Sequence, residues 1–232
     1  TGRFCETCAA FMGIEWRKKY KLAYQPPPDG QLLGSKWFVG GELSFADHFL
    51  SRFKRSADEV VLTSWSEDGS QSLAVKHFTG RELFNLVGKC HAAMKAKRVC
   101  KGDRGCAVVT NSAEAIIGMI ATASLGAIWS SCSPDFGVSG IVDRFSQIKP
   151  KLMFFSSAYF YNGKYFNTQD KLSQLIPQLA GLETVVEIPS QANERPARDS
   201  IGWLDFNDSI LSQTETEKES FVHFDTTACD FR

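Results

Sequence analysis

CAVVTNSAEAIIGMIATASLGAIWSS, residues 106–131, is the stretch from which the fold can be read. Cys106–Thr110 is an apolar run of strand length, and Asn111 followed by Glu114 has the form of a capping box that opens a helix. The helix runs to near Gly126, and Ala127–Ser131 reads as a second short apolar strand. Neither strand alternates polar with apolar residues, as expected when both faces of a sheet are covered and the strands are joined by a helical crossover. The uncharged stretch from Ala115 to Pro134 is bracketed by Glu114 and Asp135 and interrupted by Gly126. Its interior is rich in Ser, Thr and Ala, so it reads as a buried helix running into a strand rather than a membrane span.

The same alternation continues toward the carboxyl end. Val138–Ile148 is expected as a helix stopped by Pro150, Lys151–Ser156 as a strand, Gln169–Ile176 as a helix and Thr184–Ile188 as a strand. Strands alternating with helices predict an α/β fold, a parallel sheet with flanking helices built from βαβ units. Beyond Pro189 the pattern weakens: Gln191–Ser200 is a polar loop, and Ile201–Leu211 is read as a short strand and helix.

Toward the amino end, Phe4–Tyr24 reads as a helical lead-in, with Phe4–Ile14 as a short amphipathic helix. Pro26-Pro27-Pro28-Asp29-Gly30 then forms a linker. Ser44 is placed to cap a helix over Phe45–Phe53. Val60–Trp65 and Ser72–Phe78, joined by Glu67-Asp68-Gly69-Ser70, read as a hairpin. Thr79 caps a helix reaching about Lys97, with Leu83, Leu86 and Val87 on its apolar face.

Composition excludes several functions. Among 232 residues, 26 basic and 26 acidic side chains are interspersed, with no basic face of the kind that neutralises nucleic-acid phosphates. Seven scattered Cys do not form a secreted disulfide framework, and Cys5-x-x-Cys8 has no second ligand pair for zinc. His48, His77, His91 and His223 fall in unrelated elements, none at metal-ligand spacing. Phosphate-binding, dinucleotide-binding and nucleophile-elbow motifs are all missing. With no signal peptide or membrane segment in view, the cytosol is the expected setting.

Where ligands bind in open α/β sheets, at the carboxyl ends of strands, two loops stand out. Thr110-Asn111-Ser112 is read as a cap formed by Asn111 rather than as an anion site. Ser130-Ser131-Cys132-Ser133-Pro134-Asp135-Phe136-Gly137 admits two readings. It is either a turn in which Ser133 or Asp135 caps the next helix, or the wall of a ligand pocket where small residues let a ligand approach the backbone.

The run from Ala121 through Trp129-Ser130-Ser131-Cys132-Ser133-Pro134-Asp135-Phe136-Gly137, and its continuation Asp143-Arg144-Phe145-Ser146-Gln147-Ile148-Lys149-Pro150-Lys151, strongly resembles the acetoacetyl-CoA synthetases. Trp37-Phe38 with Gly40, and Tyr161-Asn162-Gly163-Lys164, resemble the same family. Gly102-Asp103-Arg104, Asn111, Glu114 and Gly126-Ala127 recur across the wider adenylate-forming superfamily. The resemblance extends from about Phe4 to Ile188.

It implies an acetoacetate–CoA ligase using ATP, coenzyme A and Mg²⁺, with acetoacetate as the small-molecule substrate and no nucleic-acid or membrane partner. It also implies two regions: residues 1–56 as an N-terminal segment of the acetyl-CoA-synthetase type, and 57–232 as the first part of the synthetase/ligase domain. The family's phosphate loop, later acidic and Arg motifs and catalytic Lys find no match. The chain is therefore expected to be an N-terminal fragment, inactive in adenylation by itself and without a catalytic or metal-binding residue. In acetyl-CoA synthetases an Arg-Gly-Gly-Lys segment touches the nucleotide end of coenzyme A. By resemblance, Asn162, Gly163 and Lys164 take that place, with the Arg absent and a solvated loop lysine as the alternative for Lys164. Phe136 and Gly137 are expected to line the pantetheine channel. The alternatives are another short-chain acyl-CoA synthetase, or a non-catalytic module that binds coenzyme A or a partner.

Overall fold

A computed structural model describes residues 1–30, 33–67, 73–189 and 202–206. Its centre is a five-stranded parallel sheet in the order β11-β10-β7-β5-β6. The strands are β5 (Arg104–Val108), β6 (Ile128–Cys132), β7 (Leu152–Ser156), β10 (Thr184–Ile188) and β11 (Gly202–Asp205). Between them lie α4 (Ala113–Ser124), α5 (Val138–Phe145) and α6 (Gln169–Leu175), the last running into a 3₁₀ turn at Ile176–Gln178. The expected βαβ architecture is present: β10 has its expected bounds, β5, β6, β7 and α6 differ from theirs by one or two residues, and α5 ends at Phe145, three residues short of Ile148.

Side-chain alternation along the strands divides two cores. Ala107, Leu152, Phe154, Val186 and Ile188 point to one face, where they meet α4, α2 (Phe45–Arg55) and α3 (Gly80–Ala96). Cys106, Val108, Met153, Phe155 and Val185 point to the other, against α5 and α6. Every residue of β7 and β10 is buried, so these strands have no solvated face and no polar alternation. Strand β6 differs from expectation. It is an edge strand, half open to solvent, with Ile128 57% exposed. Its apolar run suggested a covered strand, but strand position is set by neighbours and not by composition.

Helix α3 has the predicted start: Thr79 accepts the N–H of Glu82, and the Glu82 carboxylate accepts the N–H of Thr79. Ser44 caps α2 through the N–H of Asp47. At α4 the expected Asn111–Glu114 box does not form. The helix starts one residue later, with Ser112 in extended conformation at the N-cap and its hydroxyl accepting the N–H of Ala115. Serine caps as well as asparagine, and the shift leaves Asn111 outside the helix. Neither Ser133 nor Asp135 caps α5, because its N-cap is Gly137 and makes no side-chain cap.

The amino-terminal region departs most from its reading. Helix α1 (Gly2–Phe11) buries only Ala9, while Phe4 and Phe11 are exposed. Gly13 at φ +60° follows it, and Leu22–Gln25 is a strand, β1, rather than a helical continuation. It pairs antiparallel with β2 (Lys36–Val39). Cross-strand aromatics stabilise this pair, with the Tyr24 and Trp37 rings 4.8 Å apart. Trp16, Tyr20 and Phe38 form a second ring cluster beside them.

Two further hairpins flank the main sheet. The expected β3 (Val60–Glu67) and β4 (Leu73–Thr79) pair antiparallel; their connecting turn lies outside the described residues. The second, β8 (Ala158–Tyr161) with β9 (Lys164–Asn167), was not anticipated. The expected loop at Gln191–Ser200 and the helix after Phe206 also lie outside the described residues. No helix among the described residues is long and apolar enough to cross a membrane.

Candidate functional site

The carboxyl ends of β5, β6, β7 and β10 open onto one cleft of about 740 Å³. Its floor is built by sheet topology. Thr110, Asn111 and Ser112 follow β5, Ser133, Pro134 and Asp135 follow β6, and Ser156 ends β7. Parallel strands place all these loops on the same side of the sheet, the general position for ligands in open α/β folds. The two hairpins supply the walls, with Trp65 and Lys76 from β3–β4 and Tyr159 and Tyr161 from β8–β9.

The β8–β9 turn is Asn162-Gly163, and both residues have positive φ, +51° and +70°. That is the backbone of a two-residue hairpin turn, which Asn-Gly favours because Gly has no Cβ to clash and Asn tolerates the left-handed region better than other side chains do. Flanked by Tyr159-Phe160-Tyr161 and Lys164-Tyr165-Phe166, the dipeptide was a hairpin signal in the sequence. The turn's two N–H groups point at Glu67, whose carboxylate accepts Asn162 at 3.1 Å and Gly163 at 2.8 Å. Lys164 follows, exposed, as the first residue of β9.

Phe136 and Gly137 close the loop after β6 without lining the cleft themselves; Ser133, Pro134 and Asp135 do so. The guanidinium of Arg144 lies over the Phe136 ring, 4.6 Å from its centroid. The structure thus gathers Asn162, Gly163 and Lys164 in one turn and sets Phe136-Gly137 on a neighbouring loop. Trp65, Lys76 and Tyr159 are contributors that the sequence reading did not single out. They come from hairpins distant in sequence: the β3–β4 hairpin was expected without a role in a site, and the Asn-Gly dipeptide was the local signal for the other.

Lys76 is a cation on the cleft wall, and Glu67, Glu114 and Asp135 bring carboxylates to its lining. Burial, with the nearby Asp135 carboxylate adding to it, pushes the Tyr159 hydroxyl up, so the ring enters the cleft as a neutral donor. Burial likewise raises the Cys132 thiol despite the opposing fields of Arg144 and Lys171, which keeps it from being a thiolate nucleophile. No group of three or more His, Cys, Asp or Glu side chains among the described residues is arranged to hold a metal ion. Hydroxyls, an amide and aromatic faces suit recognition of an extended ligand with both polar and apolar parts.

A parallel α/β sheet with a cleft at its strand ends is the general frame of a ligand-binding α/β domain, and the chain belongs to the AMP-binding enzyme family, whose model matches residues 51–224. Among similar proteins is the acetoacetyl-CoA synthetase of Macaca fascicularis, 40% identical over 191 residues, covering 82% of this chain and 28% of that protein. The malonamoyl-CoA synthetase of Penicillium aethiopicum is 35% identical over 197 residues, covering 81% and 26% respectively. In structure, the acetoacetyl-CoA synthetase from Streptomyces lividans superimposes with a TM-score of 0.80 at 29% identity, over 92% of this chain and 31% of that one. The chain therefore spans under a third of the length of these relatives.

Proposed function

We propose that this chain forms the coenzyme-A-facing part of an acetoacetate–CoA ligase, which converts ATP, acetoacetate and coenzyme A to acetoacetyl-CoA, AMP and pyrophosphate in the cytosol. The observation that carries this reading is the 40% identity to an acetoacetyl-CoA synthetase over most of the chain, with the specific Trp129–Gly137 string inside the matched fold. In such a reaction the carboxylate oxygen attacks the α-phosphorus and pyrophosphate leaves. The thiol sulfur then attacks the acyl carbon, and AMP leaves with the bond's electron pair.

On this reading the chain binds and orients the thiol substrate. Lys164, exposed at the hairpin tip, is the phosphate contact for the nucleotide end of coenzyme A. The N–H groups of Asn162 and Gly163 are engaged by Glu67, so their part in the reading is to aim Lys164. Phe136 and Gly137 border the path of the pantetheine arm, beside the cleft lining of Ser133–Asp135. Residues 1–56 act as the amino-terminal segment and 57–232 as the first part of the catalytic domain; α2 of the former packs into the same core as α3 and α4. No group of three or more His, Cys, Asp or Glu side chains among the described residues is arranged to hold Mg²⁺.

The test is coenzyme A titration by calorimetry, comparing the chain with Lys164→Ala. Saturable binding that weakens roughly three- to tenfold in the variant, and more at low salt than at high, agrees with a phosphate contact. Equal binding by both removes Lys164 from the site. Adenylation is not expected of this chain alone, and acetoacetate-dependent pyrophosphate release by it would overturn that. A second reading, another short-chain acyl-CoA synthetase, is favoured by the malonamoyl-CoA synthetase among the relatives. Comparing acetoacetate, malonamate and acetate as acids in the complete enzyme separates the two.

A further inference from the structure

The loop after β6 has little of its own to hold it. Helix α5 begins without a side-chain cap at Gly137, and the loop's internal tie is a long hydrogen bond of 3.4 Å from the N–H of Phe136 to the carbonyl of Ser133. Its outward carbonyls are met from another element. The ammonium of Lys171, on α6, donates to the carbonyl oxygens of both Pro134 and Phe136, the latter at 2.8 Å. A charged donor to two carbonyls makes stronger hydrogen bonds than neutral pairs do.

The element that carries Lys171 is itself anchored. Leu172 and Leu175 are buried in the core under α5, and Thr168 at the start of α6 donates its hydroxyl to the carbonyl of Ser156 at 2.5 Å. Strand β9 runs directly into that Thr, so one short stretch of chain links the Asn162-Gly163 hairpin to the helix whose Lys171 holds the loop after β6.

We propose that Lys171 is a positioning residue for the cleft, holding the loop after β6, whose Ser133–Asp135 form part of the floor, in register with the β8–β9 hairpin so that both meet one ligand. This rests on the reading of the cleft as the seat of coenzyme A. Lys171 is not among the residues lining the cleft; it acts through the backbone of the loop.

Amide hydrogen exchange and coenzyme A titration, run on the wild-type chain, Lys171→Met and Lys171→Arg, test it. In Lys171→Met the amides of Asp135, Phe136 and Gly137 should exchange roughly tenfold faster while those of α4 keep their rates. Coenzyme A affinity should fall about three- to tenfold, and Lys171→Arg, which retains a charged donor, should recover most of both effects. If Lys171→Met does not fold, Lys171→Gln takes its place in the same comparison. Unchanged loop exchange in a folded Lys171→Met overturns the proposal, as does equal loosening by Met and Arg. If the loop loosens as expected but the wild type binds no coenzyme A, the coenzyme A reading falls and the holding role of Lys171 stands.

Discussion

Glu67 and Gly163, 96 residues apart in the chain, meet through a 2.8 Å hydrogen bond from the glycine N–H to the carboxylate. With the companion bond from Asn162, it ties together the two hairpins that wall the cleft. A turn whose N–H groups suit an anion has one supplied by the protein itself.

Removing that carboxylate should therefore act locally. Glu67→Ala is expected to speed amide exchange at Asn162 and Gly163 and to cost no more than about 1 kcal/mol of stability, since the pair is solvent-accessible. With the competing negative charge gone from beside Lys164, coenzyme A binding should tighten, by roughly threefold. Weaker binding would mean that the aim of the hairpin matters more than the competing charge.

Gly137→Ala separates fold from ligand. A Cβ at this position meets nothing within 4 Å, and its φ of −66° is open to any residue. As an N-cap glycine it should lose no more than about 1 kcal/mol on replacement. If the pantetheine arm passes close to this backbone, coenzyme A affinity falls while thermal unfolding barely moves. Unchanged affinity would place the arm elsewhere.

Gly80→Ala is expected to do the opposite. There a Cβ would lie under 3.0 Å from the backbone carbonyls of Phe53 and Ser56, where the end of α2 meets the start of α3. Backbone cannot step aside as a flexible side chain can, so a loss of about 3 kcal/mol or more is expected in denaturant unfolding.

His91 should make the domain acid-sensitive. It is buried on α3, with Nδ1 2.7 Å from the hydroxyl of Ser124 on α4. Burial, with the charge of Lys95 adding to it, lowers its pKa from 6.5 to about 4. Above pH 6.5 the ring is neutral both folded and unfolded, and its full contribution is present. As pH falls from 6.5 toward 4 the unfolded chain takes up the proton and the folded one does not, so stability is lost, up to roughly 3 kcal/mol. Unfolding free energies measured from pH 7 to 4.5 should fall more steeply for the wild type than for His91→Asn. Carboxylate titrations common to both proteins cancel in that difference, and parallel curves would contradict the assignment.

Much of the fold was legible because its determinants are local. Thr79 and Glu82 specify a helix start within four residues, and Leu152–Ser156 and Thr184–Ile188 are apolar runs that only a doubly covered strand accommodates. The reading failed where two local signals competed. Ser112 and Asn111 are both good caps, and the backbone chose Ser112. Leu22–Gln25 carries no helical stop signal of its own, and its strand character comes from pairing with Lys36–Val39. In the site, the serine-rich loop after β6 was recognisable, whereas the aromatic hairpin at Asn162-Gly163 was passed over.

The sequence by itself determined the kind of layer this chain builds and the family string it carries. Capping, side-chain periodicity and apolar run length act over a few residues, so where no second local signal competes, as at Thr79, they hold in the folded chain. Only the tertiary structure decided that β6 is an edge, that Trp65 and Tyr159 face one cleft, and that Glu67 and Lys171 hold its walls and floor. Those contacts join residues 35 to 96 positions apart, and a hydrogen bond depends on where its donor and acceptor stand in space. No local rule specifies that until the sheet has brought the loops together.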